Sequence, residues 1–435
     1  MPQYPKPDEG SWTQHYRHLG TGDVSYEDCV SPEFYEDERR AVFERAWLNV
    51  GRVEDVPRNG SYVTREIAVA KTSIIVVRDQ EGRVRAFHNL CQHRGNKLVW
   101  TDSPFSVTSG STRAFTCRYH GWRYDLQGAC TFVQQESEFF DFDKADHSLS
   151  PVHCDVWAGF IFVNLADEPA QTLHEFLGPM ISALDGYPFD RLTERYDFTA
   201  DIACNWKVFA DAFQEYYHVP ILHPQEATPP ARAMTLSMGF EAPHYQLDRP
   251  HRMVSTAGVP RRKWPADFQY PIELATRSGL FGPWDEPDLT SDLPADRLRD
   301  GELPGVNPGG IDRWQIANYQ VFPNLEILIW ETGWYLTYRY WPTSHNTHRF
   351  EGTLYFAPSR NASDRAAREC AVVMFKEFAL QDAGTLEGTQ QALESPAAVG
   401  KRFPLNDQEI LVRHLHQAVG EWVGAYRDER TATHA

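Results

Sequence analysis

The sequence lacks the long apolar run that a membrane-spanning helix requires. Such a helix takes about 20 consecutive apolar residues, whereas the most apolar stretch here, VWAGFIFVNLA at 156–166, is much shorter and is typical of a buried strand. The N-terminal residues MPQYPKPDEG show neither the basic region nor the apolar core of a secretory signal. We therefore expect a cytoplasmic protein with no membrane span.

Basic residues and cysteines are also scarce. The 435 residues include 42 Lys and Arg against 60 Asp and Glu, and the resulting net charge of −18 argues against a surface that neutralises nucleic acid phosphates. Seven cysteines are few and odd in number for so long a chain, which favours metal ligands or buried thiols over a disulfide framework. With 42% hydrophobic residues, the chain has enough apolar material for two or three folded domains.

Hydrophobic periodicity divides the chain into three parts. In residues 1–46, apolar residues at near-helical spacing predict a helical N-terminal segment that packs on the C-terminal domain. Residues 47–166 consist of short β-branched runs between turns and predict an all-β domain. Residues 167–435 combine helical and alternating patterns, which predicts an α+β domain in which antiparallel strands curl around a long helix.

Within the third part, the periodicity distinguishes helices from strands. Helical patterns, and the prolines that follow one of them, predict helices over 171–185, 203–219, 362–394 and 407–427. Alternating patterns predict strands over 324–330, 334–341 and 348–356. Residues 224–312 are rich in Pro, Gly and Asp, and we expect no regular structure there.

The first motif that suggests chemistry combines two cysteines and two histidines. NLCQHRGNKL supplies Cys91 and His93, and TCRYHGW supplies Cys117 and His120, with both halves on turns between predicted strands. Two thiolates and two imidazoles can hold zinc, or a [2Fe–2S] cluster with cysteines on one iron and histidines on the other. Each half offers one Cys and one His, as a cluster needs if each loop gives one ligand to each iron. This arrangement favours the cluster.

A second motif places an acid and two histidines close together in the segment NWKVFADAFQEYYHVPILHP. On a helix, Glu215 and His218 would share a face, and Pro220 would end that helix so that His223 could return toward the same point. Two histidines and one carboxylate form the facial triad of non-haem Fe(II) oxygenases. The segment therefore predicts a mononuclear iron site.

Together the two motifs resemble those of the Rieske non-haem iron oxygenases, specifically the large α catalytic subunit of the aromatic-ring-hydroxylating type. The resemblance rests on C-x-H-R-G preceded by Asn89, on C-x-x-H-G-W followed by YDLQG, and on the second motif, and it covers roughly residues 40–400. It implies an α+β fold, with an all-β Rieske [2Fe–2S] domain and a helix-grip (START-like) catalytic domain. One departure is a longer connection between the halves of the first motif, which we place at the polar segment 101–112.

The resemblance also implies which residues hold the iron atoms. Cys91 and Cys117 would bind one iron of the cluster, and His93 and His120 would bind the other. His218 and His223 would bind the mononuclear iron together with a carboxylate on the long C-terminal helix. We choose Asp382, in the context L-Q-D, as this ligand; Glu377 and Glu387 are its rivals.

A further acid has a different role in the resembling family. The carboxylate three residues before the first histidine bridges a mononuclear-iron histidine and a Rieske histidine of the neighbouring subunit, so that electrons cross a trimer interface. Glu215 occupies that position, and Asp211, one turn earlier, is the competing candidate. An Asn often found just upstream is replaced here by Ala212.

The function implied is that of the oxygenase component of a multicomponent system. Electrons from NADH would arrive through a separate reductase, with or without a ferredoxin, since the chain has no G-x-G-x-x-G fingerprint. The cluster would pass them to a mononuclear Fe(II) that activates O2 and inserts one or two oxygen atoms into a hydrophobic substrate. We expect an aromatic or polycyclic hydrocarbon as the substrate, hence a catabolic role, in an α3 or α3β3 assembly.

Two alternatives to this function remain open. The first is a Rieske monooxygenase or demethylase that acts on a quaternary ammonium compound, because family members with a bridging Glu include such enzymes and Trp and Tyr side chains can cage a cation. The second is non-enzymatic: a zinc-stapled domain fused to a lipid-binding module. The second alternative explains the first motif and leaves the second motif without a role.

Basic residues around the first motif suggest where an electron donor docks. Residues 85–123 contain six Lys and Arg and a single acid, Asp102, so this segment has a charge of 6 − 1 = +5 in a chain of net charge −18. These basic residues would attract an acidic ferredoxin. We expect docking near four of these side chains, namely Arg94, Lys97, Arg113 and Arg118, unless they pair with acids elsewhere in the fold.

Overall fold

The structure, a computed structural model, describes residues 7–101, 108–224, 236, 243–257, 278–279, 282–283, 303–311, 314–330 and 333–434. Half of the connection expected at 101–112 and most of the segment 224–312 therefore lie outside the described residues. The chain forms two compact units. The smaller unit is Arg39–Phe176, and the larger unit joins the segment that ends at Glu38 to the chain from Leu177 onward.

The domain boundaries expected after residues 46 and 166 both fall inside the smaller unit. The expected and observed boundaries differ because residues on either side of the strands form hydrogen bonds within the smaller unit. Asn164 Nδ2 donates to the Arg45 carbonyl oxygen at 2.7 Å, and Trp47 Nε1 donates to the Gln171 carbonyl oxygen at 3.0 Å. Residues 39–46 and 167–176 are therefore part of the smaller unit.

The N-terminal segment of the larger unit contains helix α1 (Trp12–His15), strand β1 (Val24–Ser25) and helix α2 (Pro32–Glu38). A π-helical turn, Arg39–Phe43, follows at the start of the smaller unit. Short 3-10 turns occur at Arg17–Leu19, Glu27–Cys29, Val53–Asp55, Ala68–Ala70, Glu136–Glu138, Lys144–His147, Phe189–Arg191 and Asp407–Glu409.

The smaller unit is built from antiparallel strands, which confirms the expected all-β domain. Its strands are β2 (Leu48–Arg52), β3 (Ser61–Ile67), β4 (Thr72–Arg78), β5 (Val84–His88), β6 (Ser109–Ser111), β7 (Phe115–Thr116), β8 (Arg123–Tyr124), β9 (Cys130–Phe132), β10 (Pro151–Trp157) and β11 (Phe160–Asn164). One sheet has seven strands in the order β2-β11-β10-β5-β4-β3-β6, and β7-β8-β9 form a three-stranded sheet. A core of aromatic and aliphatic side chains, with Trp122 and Tyr124 among the most buried, packs against the turns that carry Cys91 and Cys117.

The larger unit contains a second seven-stranded antiparallel sheet. Helix α3 (Leu173–Ser182) begins in the smaller unit and ends in the larger one, because the boundary falls between Phe176 and Leu177. The following elements of the larger unit in chain order are β12 (Glu194–Ile202), α4 (Trp206–Ala212), α5 (Val219–Leu222), β13 (His244–Asp248), β14 (His251–Thr256), β15 (Ser278–Gly279), β16 (Gly282–Pro283), β17 (Ile316–Val321), β18 (Leu325–Trp330), β19 (Tyr335–Ser344), β20 (Thr347–Phe356), α6 (Ala362–Leu393), β21 (Arg402–Phe403) and α7 (Ile410–His434). The sheet order is β12-β20-β19-β18-β17-β14-β13, while β15 pairs with β16 and β21 with β1.

These elements confirm the expected α+β class and correct one detail of it. The strands predicted over 324–356 and the helices predicted over 362–394 and 407–427 correspond to β18–β20, α6 and α7. The expectation of no regular structure in 224–312 is wrong for β13 and β14 and for the two-residue strands β15 and β16. Strand β14 is buried along its whole length and pairs on both sides, with β13 and β17, so its backbone groups are satisfied within the sheet despite the surrounding Pro and Gly.

Helix α6 owes its position to one apolar stripe. Ala367, Ala371, Phe375 and Phe378 are buried and recur every three or four residues, so they lie on one face of the helix. That face meets the aromatic side of β18 and β19, where the Phe375 ring lies 6.2 Å from Trp334 and 6.3 Å from Tyr338. Asp382 continues the same stripe and is buried as well, which places a carboxylate where the periodicity calls for an apolar side chain. Among the helices that the structure describes, none is long and apolar enough to span a membrane.

Candidate metal centres and active site

The Cys-His pairs of the first motif sit on two turns of the same design. In the first turn, the Cys91 N–H bonds the Asn96 carbonyl oxygen at 2.9 Å and the Gly95 N–H bonds the Cys91 carbonyl oxygen at 3.0 Å. In the second, the Cys117 N–H bonds the Trp122 carbonyl oxygen at 2.8 Å and the Gly121 N–H bonds the Cys117 carbonyl oxygen at 3.0 Å. Gly95 and Gly121 have φ values of 75° and 74°, a left-handed conformation that favours glycine.

The two turns bring the four predicted ligands together. His93 Nδ1 and His120 Nδ1 lie 3.1 Å apart, so a metal bound by one ring can be bound by the other. Trp122 stacks on His93 at 4.9 Å with an interplanar angle of 7°, and burial, with His120 close by, lowers the pKa of His93. Cys91 and Cys117 are buried and form no disulfide. Two free thiols and two imidazoles are the donor set of a Rieske cluster.

Asn89 and Tyr124 hold the first of these turns in place. The Asn89 side chain accepts the N–H groups of Leu98 and Val99, both at 2.9 Å, and donates to the Val99 carbonyl oxygen at 2.7 Å. The Tyr124 hydroxyl lies 3.3 Å from Cys91 Sγ and accepts the Gln92 N–H at 3.0 Å. Hydrogen bonds to cluster sulfurs tune the potential of such centres, so Tyr124 is positioned to do so.

The second motif folds differently from the helix that we predicted over 203–219. Helix α4 ends at Ala212, and residues 213–218 form turns in which Glu215 and His218 do not share a helix face. Pro220 does not end a helix; it lies in the first turn of α5, where its missing N–H costs no hydrogen bond. The correction leaves His218 immediately before α5 and His223 immediately after it.

Glu215 organises this turn with both of its carboxylate oxygens. Oε2 accepts the N–H groups of Tyr217 and His218, the latter at 3.1 Å, and Oε1 lies 2.6 Å from His218 Nδ1. The carboxylate therefore fixes the ring of His218 with Nδ1 toward Glu215. The opposite nitrogen, Nε2, is left to face Asp382 at 3.6 Å.

Three side chains converge beside this turn: His218, His223 and Asp382. His223 Nε2 lies 3.1 Å from Asp382 Oδ1, and one ligand atom from each of the three residues lies within 4.8 Å of the others. His223 Nδ1 lies 2.7 Å from Gln381 Oε1, so each ring uses Nδ1 for a protein partner and directs Nε2 toward the carboxylate. Such partners fix the tautomer of metal-binding histidines. Two imidazole nitrogens and a carboxylate are the donor set of a non-haem iron site.

The structure separates Asp382 from its two rivals. Glu377 is exposed, and Glu387 Oε1 accepts the Ala203 N–H at 3.0 Å. Asp211, the alternative to Glu215, is buried and lies 3.1 Å from both Tyr26 OH and His416 Nε2. Ala212 is partly buried at the end of α4 and offers no polar group.

A set of buried polar side chains on one face of the sheet supports the Glu215 turn, and no sequence motif marks these residues. Asn318 Nδ2 donates to the Phe213 carbonyl oxygen at 2.6 Å, and Arg252 Nε bonds Gln214 Oε1. Glu326 accepts the Tyr340 hydroxyl at 2.6 Å, and burial raises its pKa to about 8. These side chains come from strands distant in sequence, so only the sheet register reveals that they share one face with the turn.

A cavity adjoins His218 and Asp382, and a cluster of aromatic rings adjoins His223. A cavity of about 640 Å³ is lined by Asp211, Glu215, His218, Asp382 and Glu409, together with apolar side chains of α4, α6, α7 and the segment between α6 and α7. Burial raises the pKa of Glu409 to about 7. On the other side, the Phe378 ring lies 4.6 Å from His223, and aromatic rings continue from it at 4.7 to 6.3 Å through Phe375, Tyr338, Trp330, Trp334 and Phe350.

Comparison with known proteins matches both units. A family model described as the ring hydroxylating alpha subunit (catalytic domain) matches residues 189–425, and a model of the Rieske [2Fe-2S] domain matches residues 46–143. The glycine betaine monooxygenase oxygenase subunit of Chromohalobacter salexigens is 34% identical over 194 residues, which is 45% of this chain and 41% of that protein. The carnitine monooxygenase oxygenase subunit of Acinetobacter baumannii is 31% identical over 202 residues, 45% of this chain and 51% of that protein.

The matched region thus spans about half or less of the length of these curated relatives. Among solved structures, the quaternary ammonium Rieske monooxygenase CntA with gamma-butyrobetaine has a TM-score of 0.67 at 17% identity, covering 95% of this chain and 99% of that chain. Naphthalene 1,2-dioxygenase from Rhodococcus sp., bound to indole, has a TM-score of 0.72 at 19% identity, covering 95% and 98%. These likenesses show a shared fold.

Proposed function

Because this chain belongs to the family of ring hydroxylating alpha subunits and also carries a Rieske [2Fe–2S] domain, we propose that it is the oxygenase component of a multicomponent Rieske oxygenase. The observation that carries the proposal is the convergence of His218, His223 and Asp382 in a chain that also pairs two Cys-His turns. A zinc-stapled lipid-binding module would require neither the second constellation nor its supporting hydrogen bonds.

The cofactors of this family are the Rieske cluster and a mononuclear iron, and the donor sets fit both. We assign Cys91 and Cys117 to one iron of the cluster and His93 and His120 to the other, and His218, His223 and Asp382 to the mononuclear iron. When bound, the cluster supplies single electrons and the mononuclear iron activates O2 beside the substrate. The protein orients these ligands: Glu215 and Gln381 hold the two histidine rings, and Asn89 and Tyr124 hold the first cluster turn.

Replacement of Asp382 by Asn should remove the mononuclear iron and leave the cluster in place. The amide keeps the shape of the side chain but loses the negative charge that faces both histidine Nε2 atoms. Loss of a ligand charge should lower iron affinity by at least the 10–100-fold typical of weaker, outer contacts. Iron and acid-labile sulfide per chain check the result, with the exposed Glu377→Gln as the matched control. If Asp382→Asn kept the mononuclear iron and Glu377→Gln lost it, the iron ligand would be Glu377.

We assign Glu215 as the carboxylate that links the mononuclear iron to the cluster of a neighbouring subunit in an α3 or α3β3 assembly. Its support is the 2.6 Å contact of Oε1 with His218 Nδ1, because a charged hydrogen bond to an iron-bound imidazole is a short path for electronic coupling. Asp211 reaches Tyr26 and His416 rather than either of the two iron-site histidines.

Glu215→Gln should slow electron transfer from the reduced cluster to a ferric mononuclear iron by about 10–100-fold. Rapid-freeze EPR under anaerobic conditions measures this step without O2 or substrate. Iron and sulfide contents should equal those of the wild type, and Asp211→Asn should transfer electrons at the wild-type rate. Slow electron transfer in Asp211→Asn together with a wild-type rate in Glu215→Gln would assign the bridging role to Asp211.

Electrons would reach the cluster from a reductase, directly or through a ferredoxin, at the basic surface near Arg94, Lys97, Arg113 and Arg118. Arg94, Arg113 and Arg118 are exposed, and Arg94 lies 5.4 Å over the ring of Tyr119, the neighbour of His120. Lys97 Nζ lies 3.3 Å from Glu66 and is partly neutralised, as the pairing alternative anticipated. The three arginines therefore carry most of the proposed attraction for an acidic donor.

Charge reversal at Arg94 and Arg118 together should raise the KM for an acidic ferredoxin roughly tenfold at low ionic strength, and the difference should shrink with added salt. Steady-state reduction of the cluster by the ferredoxin provides the measurement. The control is Arg83→Glu, which changes an exposed arginine of the same unit that already pairs with Glu81. An equal effect of the control would show general charge dependence and no defined docking surface.

For the substrate, we favour a quaternary ammonium compound over the aromatic hydrocarbon that the resemblance first suggested. The relatives named above act, by their names, on glycine betaine and carnitine. The rings that continue from Phe378 beside His223 include Tyr338, Trp330 and Trp334, the residue types that bind quaternary cations by cation–π attraction. The same rings suit an arene, so charge is the property that separates the two substrate classes.

Pairs of ligands that have the same shape but differ in the positive charge measure how much that charge contributes to binding. Choline and glycine betaine each have a neutral-headed isostere in which carbon replaces the quaternary nitrogen, namely 3,3-dimethylbutan-1-ol and 3,3-dimethylbutanoate. Cation–π attraction of about 2 kcal/mol predicts roughly 30-fold weaker binding of each isostere. Calorimetric titration of the iron-loaded protein measures the affinities, and O2 uptake with product identification tests turnover. Equal affinity within both pairs, together with turnover of naphthalene, would assign the aromatic class.

A further inference from the structure

The two histidines of the proposed iron site have hydrogen-bond partners of different charge. His218 Nδ1 lies 2.6 Å from a carboxylate oxygen of Glu215, whereas His223 Nδ1 lies 2.7 Å from the amide oxygen of Gln381. Carboxylate and amide oxygens accept hydrogen bonds and do not donate them, so both Nδ1 atoms carry a proton. The two contacts are similar in length, and the difference between the partners is one negative charge.

Helix α6 contacts both nitrogens of the His223 ring with consecutive residues. Gln381 Oε1 reaches Nδ1, and Asp382 Oδ1 lies 3.1 Å from Nε2. One turn earlier on the helix, the Phe378 ring lies 4.6 Å from the imidazole. The side chains of His223 and Asp382 are each only 3% exposed, so solvent barely competes with these contacts. The helix therefore determines both the position and the rotation of the His223 ring.

The charges that face the two rings determine which metal oxidation state the site balances. Asp382 and Glu215 supply two negative charges, Gln381 supplies none, and an imidazole with one proton is neutral. A single divalent ion cancels these two charges, whereas a trivalent ion leaves one positive charge in excess. Uncompensated charge is costly in a buried site, so this set of side chains favours the divalent state.

Two further acids, Asp211 and Glu409, line the cavity beside this site. Asp211 Oδ2 lies 3.1 Å from Nε2 of His416, whose Nδ1 lies 2.8 Å from Asp28. Burial lowers the pKa of His416, but Asp28 and Asp211 more than offset this and raise it to about 10, so an imidazolium offsets part of their charge. Burial raises the pKa of Glu409 to about 7, so near neutral pH this carboxyl is ionised in only part of the molecules. Both acids therefore add less charge than their number suggests.

We propose that Gln381 is a positioning residue that fixes the Nδ1–H form of His223 and, because its amide is uncharged, keeps the metal site selective for the divalent state. This inference rests on the proposed oxygenase function, in which the mononuclear iron activates O2 as Fe(II). A carboxylate at position 381 would add a third negative charge and would balance a trivalent ion instead. One ligand histidine thus has a charged partner, and the other has a neutral partner.

Two substitutions separate the hydrogen bond of Gln381 from its lack of charge. Gln381→Leu has a similar size and removes the acceptor of the Nδ1 proton, whereas Gln381→Glu keeps an acceptor and adds a charge. Gln391→Leu and Gln391→Glu are the matched controls, because Gln391 is an exposed residue of the same helix. Each experiment uses the full chain with its cluster.

Titration with Mn²⁺ measures the hydrogen bond without turnover. A chelator first removes the mononuclear metal, and the EPR signal of the free ion then gives the affinity. Loss of an outer partner of a metal-binding histidine costs about 10–100-fold in metal affinity, so Gln381→Leu should bind Mn²⁺ more weakly by about this factor. Gln381→Glu should bind Mn²⁺ at least as tightly as the wild type, because the acceptor is retained. Both Gln391 variants should match the wild type.

A redox titration of the iron-loaded proteins measures the effect of the charge. Dithionite is the reductant and ferricyanide the oxidant, and EPR of the high-spin ferric ion gives the ratio of ferric to ferrous mononuclear iron at each potential. In Gln381→Glu, this ratio at a fixed potential should rise roughly tenfold or more, because the added charge stabilises the trivalent ion. Gln381→Leu should not raise the ratio, and Gln391→Glu should leave it unchanged.

Wild-type Mn²⁺ affinity in Gln381→Leu, or an unchanged ferric-to-ferrous ratio in Gln381→Glu, would overturn the proposed role of Gln381. If Gln381→Leu does not fold, the redox titration of Gln381→Glu decides the matter. Absence of mononuclear iron from the purified wild type would instead contradict the proposed function, and the Mn²⁺ titration would still measure what Gln381 contributes to metal binding.

Discussion

The carboxylate of Glu215 is the constraint on which the candidate active site depends. It accepts two backbone N–H groups of its own turn and the Nδ1 proton of His218, so one side chain sets both the course of the chain and the orientation of a ligand. With Nδ1 held in this way, Nε2 is directed toward Asp382. Gln381 does the same for His223 from the neighbouring position on α6. Two histidines are thus aimed at one carboxylate before any metal binds, which reduces the ordering that metal binding must impose.

The packing of the long helix α6 on the sheet determines the position of Asp382. A stripe from Ala367 to Phe378 buries α6 against the aromatic side of the sheet, and Asp382 is carried into the interior as the next member of that stripe. Burial of a lone carboxylate is costly, and the two imidazole groups that face Asp382 offset part of that cost. The same packing places the Phe378 ring 4.6 Å from His223, so the helix that supplies the acid also contacts one of the two histidines.

Local spacing made a large part of this structure predictable. The C-x-H and C-x-x-H pairs and the strands around them follow from patterns a few residues long, and alternation separated β18–β20 from α6. The choice of Asp382 over Glu377 and Glu387 came from the family resemblance and not from local spacing. The turn at 213–218 was mistaken for helix because its apolar periodicity is helical, whereas side-chain capping by Glu215 determines its shape. Contacts such as Asp28–His416–Asp211 and Asn318–Phe213 join residues from separate elements, and no short pattern encodes them.

We propose that one chain holds a Rieske cluster and a separate mononuclear iron. The most direct test is the iron, zinc and acid-labile sulfide content of anaerobically purified protein, with an EPR spectrum after dithionite reduction. We expect three irons and two sulfides per chain, no stoichiometric zinc and a Rieske-type signal. Zinc without sulfide would contradict it and would turn the first motif into a structural zinc site.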